Sequence, residues 1–300
     1  MMHKFENYLV VGISSRALFD LEEENKIFEE QGVAAYSEYQ IKHETDILKP
    51  GSGFALIKAL LKLNKLVSGE RKTEIIVMSR NSADTSLRIF NSIKYYDLDI
   101  TRTVLAGGSS LSPYLSAFKT DLFLSASEED VQGAIDANIA AAIIYTHQLS
   151  SENFNKEIDQ IRIAFDGDAV LFSDESEIIY KEQGIEAFQE NEKKNAQNPL
   201  LEGPFAKLLK TISFLQKQFD KNQSPIRTAL VTSRNAPAHE RVIRTLRAWN
   251  VRIDEAFFLG GMAKQDVLKA FGAHIFFDDQ AIHTDPASEV VPSARVPYKK

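Results

Sequence analysis

The chain lacks cysteine altogether and has no excess of basic residues. Without cysteine it can form no disulfide, thiolate zinc site or cysteine nucleophile, which fits a reducing compartment. Its 35 Lys and Arg residues face 42 Asp and Glu residues, giving a formal net charge of −7. This balance argues against sequence-independent binding of nucleic acid, which requires a basic surface to neutralise phosphates. A small anionic substrate stays compatible, because a few donors and a metal ion can outweigh the mean field inside one cleft.

Long hydrophobic segments are also missing. The longest apolar stretch, Ala137 to Tyr145, is about half of what a membrane-spanning helix needs. The first residues contain Glu6 and only a short apolar run, unlike a signal peptide. With 44% hydrophobic and 26% charged residues among 300, we expect a cytoplasmic, soluble protein of one large or two ordinary domains that does not bind membranes. A homo-oligomer is compatible with the same composition.

The chain contains two similar halves. A block that begins at Val77, VMSRNSADTSLRIFNSIKYYDLDITRTVLAGG, resembles one that begins 154 residues later at Val231, VTSRNAPAHERVIRTLRAWNVRIDEAFFLGG. A second pair lies 152 residues apart and consists of IFEEQGVAAY from Ile27 and IYKEQGIEAF from Ile179. Two such pairs in the same order indicate an internal duplication. We therefore predict two domains, residues 1–150 and 151–300.

Each half alternates short apolar runs with helical patterns. In the second half, β-rich runs cover residues 161–165, 228–232, 256–259 and 274–277. This alternation is typical of an α/β protein whose parallel sheet is covered by helices on both faces. Ligands of such sheets bind at the carboxyl ends of the strands, so the polar residues just after these runs are the candidate site.

The ends of these four runs carry polar residues that suit phosphate chemistry. They are Asp166 and Asp168, Thr232 and Ser233, Lys264, and Asp278 and Asp279. Any one of them alone is common in turns or on solvated surfaces. Their occurrence together, each group at the terminus of a strand, predicts that they form one site.

This set resembles the signature of the haloacid dehalogenase (HAD) superfamily, which consists of Asp-x-Asp, a Thr or Ser, a Lys and a terminal acidic pair. More narrowly, the chain is similar to the cytosolic type I 5′-nucleotidases through FDGDAVLFSDESE from Phe165, the EQG segment, LVT-x-R and FFDDQ from Phe276. The first half resembles the same family through SSR at Ser14 and NSIKYYDL at Asn91. The resemblance covers nearly the whole chain.

The resemblance implies two HAD-like, Rossmannoid halves with parallel sheets. The C-terminal half would be catalytic and would carry a cap segment at about residues 172–227, whereas the N-terminal half would be degenerate. The implied activity is Mg²⁺-dependent hydrolysis of nucleoside 5′-monophosphates, AMP-like and deoxy forms included, to nucleoside and phosphate.

Hydrolysis of a phosphomonoester needs a nucleophile, charge neutralisation and a proton for the leaving alkoxide. In this interpretation Asp166 attacks phosphorus and forms an aspartyl-phosphate, while Asp168 protonates the leaving oxygen and then activates water. Thr232, Ser233 and Lys264 would bind the phosphoryl oxygens.

The divalent cation would be held by oxygen ligands, which Mg²⁺ prefers. The expected ligands are the carboxylates of Asp166 and Asp278 and the backbone carbonyl of Asp168. Asp279 would orient Lys264 or a metal-bound water, or would replace Asp278 as the direct ligand.

The expected cap includes Phe188, Asn191 and Lys194, which could contact the base or the ribose; a solvated helix explains them equally well. Three alternative functions stay open. The protein could be a HAD phosphatase for another small phosphomonoester, a nucleotide-binding regulator with little turnover, or an enzyme that transfers the phosphoryl group to another nucleoside.

The duplication also predicts that the first half has no catalysis of its own. A uniform offset of 154 residues matches the five charged residues and Thr232 to uncharged positions of the first half. These positions are Gly12, Ser14, Met78, Ser110, Leu124 and Ser125.

Overall fold

The computed structural model describes residues 8–66, 71–146, 158–220 and 222–299. Its contacts divide the chain into two compact units, one of Met1–Ile139 and Ile143–Ile158 and one of Ala140–Ala142 and Asp159–Lys300. Strand β5 (Ala140–Ile144) therefore has residues in both units. The predicted boundary at residue 150 lies outside the described residues and stays a prediction.

The first unit contains a parallel sheet in the order β3-β2-β1-β4. Its strands are β1 (Leu9–Ile13), β2 (Thr73–Ser79), β3 (Arg102–Leu105) and β4 (Leu122–Ser125). The helices are α1 (Ser15–Leu18), α2 (Glu22–Lys42), α3 (Phe54–Leu66), α4 (Leu87–Tyr95), α5 (Ser112–Ala117) and α6 (Glu128–Asp136). Strands β1 and β2 are buried along their whole length, as expected of strands in a sheet covered on both faces.

The second unit contains a parallel sheet in the order β10-β9-β6-β7-β8. Its strands are β6 (Ile161–Phe165), β7 (Ile226–Thr232), β8 (Glu255–Phe258), β9 (Ile275–Asp278) and β10 (Ser293–Arg295). A π-helical turn (Gly167–Leu171) follows β6, and the helices are α7 (Glu175–Lys194), α8 (Ala206–Gln216), α9 (His239–Ala248), α10 (Gln265–Phe271) and α11 (Ala281–Ser288). The predicted α/β class with parallel strands is confirmed. Within the described part of the chain, no helix combines the length and the apolar character that crossing a membrane requires.

The segment predicted as a cap, residues 172–227, holds two helices of different character. Helix α8 is buried through Leu208, Leu209 and Ile212, and its Gln216 Nε2 donates to the carbonyl of Ile226 in β7 at 3.2 Å. It therefore packs on the sheet as the crossover helix between β6 and β7. Helix α7 is mostly polar and is interrupted at Gly184, whose φ is 85°; for this helix the cap stays a prediction.

Strand pairing corrects the register between the two halves. Ile13 pairs with Leu124 at the end of β1, and Phe165 pairs with Phe277 at the end of β6. Asp166 therefore corresponds to Ser14, and the uniform offset of 154 residues is wrong at the strand ends, because the connecting segments of the two halves differ by one or two residues. Matched by the ends of strands and the starts of helices, three other site residues correspond to neutral positions, whereas Asp168 corresponds to Arg16. Thr232 corresponds to Ser79, Lys264 to Leu111 and Asp278 to Ser125.

Gly203 packs closely against the backbone of the turn that follows β6. Its amide donates to the carbonyl of Leu171 at 2.8 Å, and its neighbour Glu202 forms an antiparallel bridge with Phe172. A Cβ at Gly203 would lie 2.2 Å from the Phe172 carbonyl oxygen and 2.6 Å from that of Val170. Only glycine fits there, because both obstacles are backbone atoms.

We expect Gly203→Ala to lower the free energy of unfolding by at least about 2 kcal/mol, since overpacking against backbone cannot relax by a rotamer change. Urea unfolding followed by circular dichroism measures the loss. The control is Gly133→Ala in helix α6, where a Cβ meets only the Ser112 hydroxyl, at 2.8 Å. That variant should stay within about 1 kcal/mol of the parent protein, and equal losses in the two variants would contradict the assigned role of Gly203.

Candidate active site

A buried lysine joins two of the predicted carboxylates. Asp166 directly follows β6, Asp278 ends β9, and Lys264 precedes helix α10. Lys264 Nζ donates to Asp166 Oδ1 at 2.7 Å and to Asp278 Oδ2 at 2.6 Å. The side chain of Lys264 is 1% exposed, that of Asp166 is 8% exposed and that of Asp278 is 0% exposed. Because all three are buried at the carboxyl edge of one sheet, their charges interact with little screening by water.

Asp279 adds a third carboxylate to the same cluster. One carboxylate oxygen from each of Asp166, Asp278 and Asp279 lies within 4.8 Å of the others. Among the described residues, Asp279 Oδ1 is buried and has no hydrogen-bond partner. The single cation of Lys264 cannot balance three carboxylates, so the donor set and its orphaned oxygen fit a hard divalent cation.

The excess of buried carboxylates over positive charge is reflected in the pKa values of the cluster. Burial raises the pKa of Asp166 well above its ordinary range, with Lys264 opposing the shift and Asp278 adding to it. Burial also raises the pKa of Asp279 to about 7, against the hydrogen bond from Tyr298. For Lys264, burial lowers the pKa, but Asp166 and Asp278 outweigh it and the net shift is upward. The lysine is therefore a fixed positive charge.

Tyr298 anchors Asp279 from the C-terminal segment. Its hydroxyl donates to Asp279 Oδ2 and lies 3.0 Å from Glu177 Oε2. Glu177 Oε1 in turn accepts from Gln280 Nε2 at 3.1 Å. This network links the first turn of helix α7 to the residues that follow β9, and it fixes one oxygen of Asp279 while leaving the other free.

Thr232 and Ser233 differ in their surroundings. Thr232 is buried at the end of β7, and a Cβ placed on Gly167 would lie 3.3 Å from its Oγ1. Its hydroxyl therefore adjoins the turn that follows Asp166. Ser233 is exposed.

Asp168 is held by an arginine rather than by the lysine cluster. Arg234 Nε donates to Asp168 Oδ2 at 2.7 Å, and Nη2 donates to Oδ1 at 2.6 Å. The third arm of the guanidinium, Nη1, donates to Glu192 Oε2 of helix α7 at 2.5 Å. Burial lowers the pKa of Arg234, but Asp168 and Glu192 outweigh it and raise the pKa above its ordinary value.

The three residues of helix α7 that were predicted to contact the substrate differ in their burial and in their neighbours. Phe188 is buried, and the Arg234 guanidinium lies 5.3 Å from the centre of its ring. Asn191 is half-buried and accepts from Asn195 Nδ2 at 2.9 Å. Lys194 is exposed. Phe188 therefore packs against the charged network. Asn191 Nδ2 donates to Glu192 Oε1 of that network at 3.3 Å, and the Lys194 side chain faces solvent.

Sequence reasoning missed Arg234, Glu192, Arg241 and Tyr298 as parts of the site. A signal existed for two of them, since Arg234 lies in the repeated Ser-Arg-Asn block and Arg241 corresponds to Arg88 of the first half. The first unit shows what replaces the charged set. Ser14 Oγ accepts from the amide of Ala17 at 3.2 Å, and Ser79 forms a hydrogen bond of 3.2 Å with Ser15.

Comparison with known proteins points to one family. The sequence model described as 5′-nucleotidase matches residues 1–300. A human protein named cytosolic 5′-nucleotidase 1B is 39% identical over 99% of this chain, and the alignment covers 50% of that protein, so the chain spans about half the length of this relative. A solved structure titled "Structure of Pnkp1/Rnl/Hen1 complex" aligns over 100% of both chains with 10% identity and a TM-score of 0.32, a similarity too weak to bear on fold or function. The family model and the human relative confirm the resemblance read from the sequence motifs: the chain belongs to the 5′-nucleotidase family, in its cytosolic type I branch.

Proposed function

We propose that this chain is a cytosolic phosphomonoester hydrolase that converts nucleoside 5′-monophosphates to nucleoside and phosphate. The observation that carries the proposal is the buried Asp166–Lys264–Asp278 cluster at the carboxyl edge of the second unit's sheet. Membership of the 5′-nucleotidase family supports the substrate class, and the name of the human relative supports the compartment. A pure nucleotide-binding regulator would need neither the nucleophile nor Asp168.

The chemistry proceeds in two displacements. A carboxylate oxygen of Asp166 forms a bond to phosphorus while the ester oxygen departs and takes a proton from Asp168. Asp168 then takes a proton from water, whose oxygen attacks phosphorus and releases Asp166 and phosphate. Lys264 and the Thr232 hydroxyl bind the phosphoryl oxygens, and Lys264 reduces the repulsion between the anionic nucleophile and its anionic target.

Asp166, Asp278 and Asp279 are the residues that would hold Mg²⁺, and the orphaned Asp279 Oδ1 makes Asp279 a direct candidate beside Asp278. When bound, the ion supplies positive charge that neutralises the carboxylates and the phosphate. The charge of the bound ion would also allow the buried carboxylates to stay ionised.

We further propose that the two units arose by duplication and that only the second is catalytic. The supporting features recur at matched positions. Gly32 and Gly184 interrupt α2 and α7 with φ values of 82° and 85°, and the pairs Gly107–Gly108 and Gly260–Gly261 both have positive φ. Helix α7 would be the cap over the second site, and homo-oligomerisation is compatible with either unit.

Asp166→Asn should lower kcat by more than about 10³ without unfolding the protein, because the nucleophile is lost while the shape is nearly kept. Phosphate release from AMP, IMP, CMP and their deoxy forms measures it. The control is Asp266→Asn, an exposed position on helix α10, which should keep the parent rate. Phosphate release by Asp166→Asn at that rate would exclude Asp166 as the nucleophile.

Chelation with EDTA should abolish phosphate release, and added Mg²⁺ should restore it. Ca²⁺ should restore it poorly, because it accepts more ligands and irregular geometry, which allows bidentate binding by the nucleophilic carboxylate. Calorimetric titration of Mg²⁺ gives a readout independent of activity, and Asp279→Asn should weaken the measured affinity. Full activity of metal-stripped protein in EDTA would contradict the metal requirement.

Crystals soaked with Mn²⁺ and a phosphate mimic should show anomalous density beside Asp166, Asp278 and Asp279. No such density is expected beside Ser14 and Ser125, because hydroxyl groups without carboxylates do not anchor a hard divalent cation. A second peak of comparable height at those serines would overturn the assignment of a single catalytic unit.

A further inference from the structure

A buried charge network reaches Asp168 from helix α7. The Arg234 guanidinium uses two nitrogens on the Asp168 carboxylate, at 2.7 and 2.6 Å, and the third on Glu192, at 2.5 Å. The Arg234 side chain is 2% exposed and that of Asp168 is 18% exposed. The guanidinium is thus enclosed, whereas the carboxylate that it holds stays partly accessible to solvent.

Glu192 is itself fixed on every side. It is completely buried, and its Oε1 accepts from Arg241 Nη1 at 2.8 Å and from Ser176 Oγ at 2.9 Å. The two positive charges of Arg234 and Arg241 balance the two negative charges of Asp168 and Glu192. Because a guanidinium is planar with donors in a fixed fork, the position of Glu192 determines the plane in which the Asp168 carboxylate is held.

In the described part of the first unit, the inner part of this network is present. Arg88, which corresponds to Arg241, forms a buried ion pair with Glu24 of helix α2. In the register of the EQG segments, Glu24 takes the place of Ser176, and the neutral Gln40 takes the place of Glu192. Each unit therefore contains a buried arginine that is paired with a carboxylate. In the first unit the carboxylate, Glu24, lies before the glycine that interrupts the helix, and in the second unit the carboxylate, Glu192, lies after it.

Among the described residues of the first unit, no ion pair corresponds to that of Arg234 with Asp168. In the first unit the position of Asp168 is taken by Arg16, which pairs with Glu22 at 2.9 Å. Packing of the kinked helix is thus satisfied without a counterpart of the Arg234–Asp168 pair. The chain of ion pairs from Glu192 through Arg234 to Asp168 is therefore not needed for packing of the helix. It occurs in the unit that carries the proposed catalytic carboxylates.

We infer that Arg234 is a positioning residue for the proposed acid–base group Asp168, and that it is held in turn by Glu192 of helix α7. The inference rests on the proposed function. A fork of two hydrogen bonds keeps the carboxylate in one plane and ready to accept a proton from water in the second displacement. In the first displacement one Asp168 oxygen must carry the proton for the leaving group, so one arm of the fork has to yield while the other keeps the carboxylate aligned.

The experiment separates this role from a structural one by the leaving group. AMP needs protonation of its departing alkoxide, whereas 4-nitrophenyl phosphate leaves as a stable anion. Arg234→Lys keeps the charge but cannot form the fork. We expect single-turnover release of adenosine from AMP to fall by about 10², and single-turnover release of nitrophenolate to fall by less than about tenfold. Asp168→Asn should show the same imbalance, and the double variant should be no slower with AMP than the slower single variant.

Arg241→Lys is the matched control, because Arg241 donates a single hydrogen bond to Glu192, at 2.8 Å, which a lysine can replace while the Arg234 fork on Asp168 stays intact. Whatever it does to stability or rate should affect both substrates by the same factor. Circular dichroism and thermal melting of each variant report the fold. Should Arg234→Lys fail to fold, Glu192→Gln gives the same readout, since it weakens the anchor of the Arg234 fork.

Equal losses with AMP and nitrophenyl phosphate in Arg234→Lys, or additive losses in the double variant, would overturn the inference while leaving the proposed function intact. If the parent protein releases no phosphate from any nucleoside monophosphate, the proposed function fails and the inference fails with it. An imbalance specific to Arg234 and absent from Arg241→Lys supports the positioning role.

Discussion

The ion pairs that Lys264 makes with Asp166 and Asp278 are the constraint on which the second unit depends. Three charged groups are placed where water cannot screen them, and such groups are tolerated only when they are paired and hydrogen-bonded. The strands meet this requirement by ending together, because parallel pairing of β6 and β9 puts Asp166 and Asp278 side by side. The fold thus stabilises a charge arrangement that would be unfavourable by itself.

The two units accommodate buried charge in different ways. Among its described residues, the first unit buries the ion pair of Arg88 with Glu24 and fills its strand ends with hydroxyl groups. The second gathers carboxylates at the strand ends and adds the Arg234 network. Removing one partner of a buried pair is far more costly than replacing both. The acid at Glu24 and the acid at Glu192 therefore behave as alternatives, each neutralising the arginine that its own unit keeps.

Much of this arrangement was predictable from the sequence. The predicted run 161–165 coincides with β6, and the other three runs differ from β7, β8 and β9 by one or two residues at their ends. The proximity of Asp166, Lys264 and Asp278 followed from parallel strands ending at one edge. The partner of Asp168 did not follow, because 66 residues separate it from Arg234 and the direction of a loop side chain depends on tertiary packing. The division of residues 172–227 was missed for a similar reason, since α8 differs from a cap helix only by the surface on which it packs.

Gly184 has a geometric consequence for the charged network. Ser176 and Glu192 lie 16 residues apart on α7 and are joined by a hydrogen bond of 2.9 Å. A straight helix of that length would separate them by about 24 Å, so the positive φ of Gly184 turns the helix back on itself. The same reversal brings Tyr180 and Phe188 into edge contact at 6.3 Å. Helix α7 is therefore a hairpin whose first arm contacts the Asp279 side of the site through Glu177 and whose second arm contacts the Asp168 side through Glu192. A change in the angle between the arms would alter the spacing between the Asp279 and Asp168 carboxylates without moving any strand of the sheet.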